Sequence, residues 1–420
     1  MTDKKKTQEN ETMDVASFVE QTTIADIYRA AFYLDNVAIK TKLIESPFFS
    51  SICGNTVLLK PENLQVTGSF KLRGAFNKIS QLSEVERAKG VITASAGNHA
   101  QGVAFSAQKL GVKAVICMPA TTPILKVEAT RAYGAEIVLH GDTFDDAFAK
   151  SLELQKEKDY VYIHPFNDIN VLLGQGTTAK EIIDDCKDVD VILVPIGGGG
   201  FASGVALAAK LANPAVKVIG VEPAGAACME AAFKANGVTS LPAVDTVADG
   251  CAVKTPGELT YAFCKKYLDE IITVSEMEIM SALLSLIEKH KLVAEGAGVL
   301  SLAALPKLKM KNKKVVPIIS GGNIDISTIS ALIDKALIDR GRVFCFGVML
   351  PDKPGQLLAV AQILADTNAN VTKLEHNQAG VTDSFKKVQL EVTCETHGED
   401  HIRTIIAALE KAGYDVSRVY

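Results

Sequence analysis

The sequence predicts an α/β fold in which two doubly wound parallel-sheet lobes precede a C-terminal ferredoxin-like βαββαβ domain. From about Val91, short β-branched runs alternate with amphipathic helical stretches, and a second alternation of the same kind surrounds the glycine run that begins at Gly197. Regular alternation of strands and helices is typical of parallel sheets with crossover helices. From about Val343 the order changes to strand, helix, two strands, helix and strand, which is the ferredoxin-like arrangement.

The elements predicted for the two lobes are short and closely spaced. In the first lobe we expect strands at residues 91–93, 114–118 and 136–139, separated by helices at 100–110 and 124–133. In the second lobe we expect strands at 191–196 and 217–221, joined by a helix near 204–211. Ligands collect beyond the carboxyl ends of the strands in open parallel sheets. The loops at 94–99 and 197–200 should therefore face one cleft.

The C-terminal domain and the domain boundaries follow from the same patterns. We expect a strand at 343–350, a turn at 352–355, a helix at 356–366, strands at 370–375 and 387–392, a helix at 400–412 and a last short strand. The chain is thus divided into a polar N-terminal arm (1–24), a main domain (25–335, with the smaller lobe nested at about 65–165), a connector (336–342) and the C-terminal domain (343–420).

Composition excludes several classes of protein. The 420 residues are 48% hydrophobic and 22% charged with a formal net charge of −5, which is the balance of a globular protein and leaves no basic footprint for nucleic acid. No apolar run is long enough to cross a membrane, and no signal peptide precedes the first lobe, so we expect a cytoplasmic protein. The eight cysteines are scattered singly, which predicts reduced, mostly buried thiols and no metal site.

A first candidate for chemistry is Lys71, which follows the run Thr67-Gly68-Ser69-Phe70. A glycine-permitted turn that leads into a helix lets a lysine amine project into a cleft. Desolvation or neighbouring cations would lower the pKa of such an amine and make it a nucleophile and a base. A lone lysine is more often a solvated residue at a helix start, so the other motifs have to distinguish the two interpretations.

A second candidate is the loop Ser95-Ala96-Gly97-Asn98-His99, which joins a strand to a helix. Small residues let backbone N–H groups approach an anion, and the helix N-terminus adds a favourable dipole. The carboxylate of an amino acid would fit this loop. The alternative is an ordinary helix cap, in which Ser95 or Asn98 only satisfies backbone donors.

A third candidate is the run Gly197, Gly198, Gly199 and Gly200, followed by Phe201, again between a strand and a helix. Four successive glycines expose backbone donors without obstruction by side chains, which suits a compact phosphate group. The spacing is neither that of a dinucleotide-binding motif nor that of a Walker motif, and the alternative is a structural glycine-rich turn. Ser320 ends a later hydrophobic strand, and its hydroxyl could meet a ring nitrogen, although by itself the pattern favours a plain strand-to-turn transition.

These four stretches, in this order, resemble the fold type II (tryptophan-synthase-β-like) pyridoxal-phosphate (PLP) enzymes, and among them the threonine dehydratases. The likeness covers about residues 25–335, including 248–251 and 294–298. It implies that Lys71 carries PLP as a Schiff base and that Ser95, Ala96, Gly97, Asn98 and His99 receive the substrate carboxylate. The other residues that it assigns to the cofactor are Phe70 beside the ring, Asn98 at the phenolic oxygen, Gly197, Gly198, Gly199, Gly200 and Phe201 at the phosphate, Glu295, and Ser320 at the ring nitrogen.

The reaction implied by the resemblance is the dehydration and deamination of L-threonine to 2-oxobutanoate and ammonia, the first step of isoleucine biosynthesis, with L-serine as a second substrate. Alternatives are a catabolic threonine dehydratase, a serine dehydratase-like enzyme or serine racemase, and a non-catalytic amino-acid sensor. In racemases of this family the corresponding loop resembles Ser-Ser-Gly-Asn. This chain has Ser95-Ala96-Gly97-Asn98 there, and Ala96 has no proton to give. Relatives often bind a divalent cation through a Glu and an Asp six residues later, but here Cys228 follows Glu222 at that offset.

The C-terminal domain resembles an ACT domain, with Asp352-Lys353-Pro354-Gly355-Gln356 at its first strand-to-helix turn. Such domains pair their sheets and bind an amino acid at the shared interface. One copy in each chain therefore implies a homo-oligomer, a dimer or a tetramer. The resemblance implies feedback inhibition by isoleucine, and the alternative is a domain that only holds the oligomer together.

Overall fold

The computed structural model describes residues 15–377 and 387–420, and the chain divides into two compact units between Ile324 and Asp325. The part of the expected polar arm at residues 1–14 lies outside the described residues. Residues 15–21 of that arm form a helix, in which Val19 is buried and Phe18 packs against the larger hydrophobic core. Val15, Phe18 and Val19 lie on one face at helical spacing, so this stretch is an amphipathic part of the fold.

The strands are short, as expected for an α/β fold. They are β1 (Ile44–Glu45), β2 (Thr56–Pro61), β3 (Val91–Ala94), β4 (Ala114–Met118), β5 (Glu136–Leu139), β6 (Val161–Tyr162), β7 (Val191–Pro195), β8 (Lys217–Pro223), β9 (Glu270–Val274), β10 (Lys314–Ile319), β11 (Val343–Pro351), β12 (Asn370–Asn377), β13 (Lys387–Glu395) and β14 (Val416–Arg418).

The helices separate most of these strands. They are α1 (Val15–Gln21), α2 (Ile24–Tyr33), α3 (Pro47–Cys53), α4 (Lys71–Ser80), α5 (Glu84–Lys89), α6 (Asn98–Leu110), α7 (Ile124–Arg131), α8 (Phe144–Lys158), α9 (Ile169–Asp185), α10 (Gly200–Ala212), α11 (Cys228–Ala235), α12 (Glu258–Tyr267), α13 (Glu276–His290), α14 (Leu300–Ala303), α15 (Ile326–Asp339), α16 (Gln356–Asp366) and α17 (Glu399–Lys411). Several begin at a capping box that the sequence encodes locally, as at Ser83, Thr143 and Ser275.

The N-terminal unit contains two sheets, which confirms the predicted pair of parallel-sheet lobes. The larger sheet has the order β1-β2-β10-β7-β8-β9, and every pair in it is parallel except the edge pair β1–β2. The smaller sheet has the order β5-β4-β3-β6 and is parallel throughout. Their central strands are buried runs such as Val191–Pro195, because helices cover both faces of such sheets.

The C-terminal unit is an antiparallel sheet with two helices packed on it. The order β12-β13-β11-β14 and the chain order βαββαβ confirm the predicted ferredoxin-like arrangement. Phe344, Leu390 and Leu409 lie in its core. Helix α15 belongs to this unit, since Leu332 and Ala336 are buried and the helix contacts β11. The predicted boundary between the main domain (25–335) and the connector (336–342) falls within this helix.

Within the described residues, no helix is both long and apolar enough to cross a membrane. All eight cysteines are buried as free thiols.

The position of α4 depends on a buried charge cluster that was not predicted from the sequence. Arg73 donates to Glu62, just after β2, at 2.7 and 2.9 Å. It also donates to Glu181 of α9 at 2.7 and 2.9 Å.

Lys60 donates to the same Glu181 carboxylate at 2.6 Å, so two cations face two anions. Burial alone would raise the pKa of Glu62, but the guanidinium of Arg73 holds that pKa below its usual value. Arg73, Lys60 and Glu62 are fully buried. Removing one partner would leave an uncompensated charge, which is far more costly than the loss of an exposed pair.

We therefore expect Arg73→Met to lower the free energy of unfolding by about 3 to 5 kcal/mol. Lys113→Met is the matched control, because Lys113 pairs with Glu136 on the surface, where both side chains are 56% exposed. Its loss should be below about 1 kcal/mol. Chemical denaturation followed by circular dichroism measures both, and equal losses would contradict the role given to the cluster.

Candidate functional site

The carboxyl ends of neighbouring parallel strands bring the candidate residues together. In the larger sheet β2, β10 and β7 lie side by side, and they lead to Lys71, Ser320 and the Gly197–Gly200 run, respectively. In the smaller sheet β3 and β6 are neighbours; β3 leads to the Ser95–His99 loop and β6 to Pro165. The two sets face one another, because the Lys71 amine donates to the Pro165 carbonyl at 2.9 Å.

Lys71 is the first residue of α4, after a turn in which Gly68 has φ of 70°. A side chain at Gly68 would collide with Asn323, so the turn requires glycine in two ways. The N–H of Phe70 donates to the Ser320 carbonyl at 3.1 Å, which ties the start of α4 to the end of β10. The expected glycine turn into a helix is thus present, and it directs the lysine into the cleft.

The environment of the Lys71 amine suits a nucleophile. Burial lowers the pKa of Lys71 to about 8, although Glu295 and Cys251 oppose the shift. An amine with this pKa is roughly one fifth neutral near pH 7.4, whereas an exposed lysine with a pKa of about 10.4 is neutral in only about one molecule in a thousand. Nucleophilic and basic lysines need this shift. The interpretation of Lys71 as a solvated surface residue does not fit its position.

Asn98 is oriented by a short chain of side-chain hydrogen bonds. Its Nδ2 donates to Glu295 Oε1 at 2.6 Å, and its Oδ1 accepts from Asn323 Nδ2 at 2.7 Å. Asn323 also donates to the Thr67 carbonyl at 2.7 Å, four residues before Lys71. Burial raises the pKa of Glu295 to about 7. The second hydrogen of Asn98 Nδ2 is left for a ligand oxygen.

The loop before α6 has the features of an anion site. Gly97 is the N-cap of α6 and makes no side-chain cap, and a Cβ on Gly97 would meet no atom within 4 Å. Ser95 Oγ accepts only from the Gly97 N–H within the loop, at 3.3 Å, and Asn98 is engaged elsewhere. Ser95 thus satisfies one backbone donor, as an ordinary cap would, but no side chain caps the first turn of α6. Its first helical turn keeps N–H donors for a carboxylate.

His99 is placed differently from the rest of that loop. Its side chain is buried and its Nε2 donates to the Ile163 carbonyl at 2.9 Å. Burial, with a smaller contribution from Lys71, lowers the pKa of His99 to about 3, so the ring is neutral at physiological pH. Nδ1 has no partner in the described part of the chain. His99 joins the loop to β6, and any contact with a carboxylate would come from its backbone.

The glycine run is enclosed by protein on its outer side. A Cβ on Gly200 would lie 2.7 Å from Cα of Phe166, and a Cβ on Gly198 would collide with the ring of the same residue. Gly199 has φ of 94°, and a Cβ there would lie 2.8 Å from Thr260 Oγ1. In the described residues, no acceptor faces the N–H groups of this run. These donors form a cradle for a phosphate, so the residues present fit PLP.

The remaining predicted positions are Phe70, Phe201 and Ser320. Phe70 stacks on Phe201 with ring centroids 3.8 Å apart and an interplanar angle of 10°, so Phe201 supports the residue before Lys71. Ser320 is buried and its hydroxyl donates to the Ala297 carbonyl at 3.2 Å. A neutral hydroxyl therefore lies at the end of β10, as the ring-nitrogen assignment requires.

Four residues that contact the predicted site residues were not assigned a role from the sequence. Asn323 follows β10 in a Gly-Gly-Asn turn, and its place at the carboxyl end of a parallel strand could have identified it. Pro165 and Phe166 follow β6, a strand of two residues that carries almost no periodic signal. Thr260 lies within α12, where nothing in the sequence distinguishes it from a core threonine.

Glu222 does not form part of a metal cluster in the described structure. Its carboxylate oxygens accept from the N–H groups of Met229 and Glu230 at 2.8 Å, at the start of α11. In the described ranges no group of three or more His, Cys, Asp or Glu side chains could hold an ion.

Comparison with known families identifies the class of protein. The model of the family described as pyridoxal-phosphate dependent enzyme matches residues 34–321, and that of the ACT domain matches residues 346–414. The chain therefore belongs to the pyridoxal-phosphate dependent enzyme family, with PLP as its cofactor and an ACT domain at its C-terminal end.

Within this family the chain is similar to L-threonine ammonia-lyase of Thermotoga maritima, with 46% identity over 397 residues, or 94% of this chain and 98% of the relative. It is also 46% identical, over 313 residues, to the catabolic L-threonine dehydratase TdcB of Escherichia coli K12, a match that covers 74% of this chain and 95% of the relative. The processed form of threonine deaminase isoform 2 from Solanum lycopersicum superposes with a TM-score of 0.72 and 41% identity, over 75% of this chain and 87% of that one.

The pKa of Lys71 predicts how fast the apo-protein takes up PLP. Only the neutral amine attacks an aldehyde, so the rate should rise about tenfold for each pH unit below about 8 and become constant above it. Stopped-flow absorbance after mixing apo-protein with PLP measures the rate, and Lys71→Ala should abolish the covalent phase. A rate that still rises between pH 9 and 10 would indicate an unshifted lysine of pKa about 10.4.

Proposed function

We propose that the chain is a threonine ammonia-lyase that converts L-threonine to 2-oxobutanoate and ammonia, with L-serine as a second substrate. The observation that carries the proposal is the position of Lys71 Nζ, an amine of lowered pKa, between the glycine run and the anion-binding loop. Similarity to an L-threonine ammonia-lyase over 94% of the chain supports the choice of substrate.

In this proposal Lys71 holds the cofactor covalently, and its amine, released when the substrate binds, removes the Cα proton. When bound, the cofactor withdraws electrons from Cα and so stabilises the charge left there. The lowered pKa of Lys71 increases the fraction of its amine in the neutral form that accepts this proton. The Pro165 carbonyl, 2.9 Å from Nζ, holds the free amine within the cleft.

The other groups of the site orient the substrate and direct the outcome. The N–H donors of Ser95 to His99 bind the substrate carboxylate, and Asn98 binds the phenolic oxygen of the cofactor. Ser320 faces the ring nitrogen with a neutral hydroxyl, which does not hold a proton there as an aspartate would. Negative charge then moves toward the β-carbon, which favours loss of the β-hydroxyl over transamination.

A 2-oxo-acid assay tests the reaction. We expect 2-oxobutanoate from L-threonine and pyruvate from L-serine, and Lys71→Ala should lower kcat by at least about 10³-fold, because it removes both the attachment and the base. Lys78→Ala is the control, since Lys78 lies on the same helix but pairs with Asp168. Chiral analysis should find no D-serine, because Ala96 offers no proton on the opposite face.

Retention of activity in Lys71→Ala would contradict the role of that lysine. Borohydride reduction and peptide mass analysis of the holoenzyme give an independent check, since the modification should lie on Lys71. Formation of D-serine at a rate comparable to that of pyruvate would favour the racemase instead.

We propose that the ACT domain binds isoleucine and that this binding inhibits the enzyme. Such feedback would make the enzyme biosynthetic. A cavity of about 440 Å³ lies at the turn between β11 and α16, and it is lined by residues that include Asp352, Lys353, Gln356, Leu357 and His376. Charged side chains beside apolar ones suit an amino acid, whose two ends differ in polarity. The match to the Thermotoga ammonia-lyase covers 94% of this chain and so includes residues of the ACT domain, whereas the match to the catabolic relative covers 74%.

We further propose that the enzyme is a homo-oligomer, a dimer or a tetramer, in which ACT domains of two subunits pair. One copy in each chain supports pairing between subunits. The free, buried cysteines support a reducing compartment, the cytoplasm.

Isoleucine should raise the threonine concentration needed for half-maximal rate by about 5- to 150-fold, the usual range of coupling between sites. Gln356→Ala should weaken this response, whereas Gln362→Ala should not, because Gln362 lies outside the cavity and pairs with Asp366. Initial rates with and without isoleucine measure the effect. An unchanged threonine dependence in the unmodified enzyme would reject isoleucine as the effector.

A further inference from the structure

The backbone carbonyls of the glycine run are all directed into the protein. The shortest contact is from Thr260 of α12, whose Oγ1 donates to the Gly198 carbonyl at 2.6 Å. The same hydroxyl lies 3.1 Å from the Gly257 carbonyl, but its single hydrogen serves the nearer acceptor. Thr260 is fully buried.

Backbone donors also reach the run, since the Ser203 N–H donates to the Gly199 carbonyl at 2.9 Å and the Gly257 N–H to the Gly198 carbonyl at 3.4 Å. Two thiols and a second hydroxyl lie beside the other three carbonyls. Cys228 Sγ lies 3.5 Å from the Gly197 carbonyl, and Cys264 Sγ lies 3.9 Å from that of Gly199. Ser203 Oγ donates to the Gly200 carbonyl at 3.3 Å. Burial raises the pKa of Cys228 to about 12, so its thiol keeps its hydrogen, for which the Glu222 carboxylate is a second acceptor.

The consequence for the opposite side of the run is electrostatic. In a peptide unit the N–H and the C=O point in opposite directions, so a carbonyl held toward α12 turns a neighbouring N–H toward the cleft. A free glycine run would also sample conformations with a carbonyl facing the phosphate, which repels it. Holding the carbonyls removes those conformations before the ligand arrives, and such preorganisation increases affinity.

We propose that Thr260, assisted by Cys228, is a positioning residue that holds the Gly197–Gly200 run in its phosphate-binding conformation. Thr260 need not touch the cofactor to do so. This role concerns the binding of PLP and not the amino acid that the enzyme consumes. It can therefore be tested separately from the proposed reaction with threonine.

The test compares PLP with pyridoxal, which lacks the phosphate. Thr260→Val keeps the volume of the side chain but removes the hydroxyl, and it should raise the PLP dissociation constant of the apo-protein about tenfold. Binding of pyridoxal should change less than about twofold. Thr260→Ser restores the hydroxyl and should restore PLP affinity. Thr130→Val is the matched control, because Thr130 is a buried threonine that donates to a helix carbonyl away from the run.

Cys228→Ala provides a second route if Thr260→Val does not fold. It should weaken PLP binding about threefold and leave pyridoxal binding unchanged, since an S–H donor is weaker than an O–H donor. A loss that is selective for the phosphate and is reversed by Thr260→Ser supports the proposal. Equal losses for PLP and pyridoxal, or no loss for PLP in either variant, overturn it.

Discussion

The structure depends most on the buried pairing of Arg73 with the carboxylates of Glu62 and Glu181. Arg73 lies two residues after Lys71 on α4, while its partners lie after β2 and on α9. A buried guanidinium cannot be left unpaired without a large cost. The start of α4 is therefore held in one register relative to the larger sheet, and the Lys71 amine emerges at one place.

From that fixed point the site is assembled by the two sheets together. The larger sheet contributes Lys71, Ser320 and the glycine run, and the smaller sheet contributes the loop before α6 and the Pro165 carbonyl. The chain of bonds from Thr67 through Asn323 and Asn98 to Glu295 links residues that are 197 to 256 positions apart in sequence. Because both sheets are parallel, their ligand-binding loops all leave from carboxyl ends.

Much of the fold was predictable because local patterns encode it. Helix α16 has the predicted bounds, and β4 and β5 do as well, since each is an uninterrupted apolar or amphipathic run between turn residues. Helix α1 was missed because its apolar face, with Phe18 and Val19, is only two turns long and follows a polar stretch. The predicted boundary divides α15, whereas the structure places the whole helix in the C-terminal unit, because amphipathicity shows that a helix packs, but not against which partner.

The sequence by itself determined the class of fold and singled out Lys71 and the glycine run as candidates, because each pattern depends on residue types within a few positions of one another. Only the tertiary structure decided what surrounds them. The shifted pKa of Lys71, the orientation of Asn98 by Asn323, and the bond from Thr260 to the Gly198 carbonyl all arise between distant segments. Desolvation and hydrogen-bond geometry act over a few ångströms in space, whatever the separation along the chain.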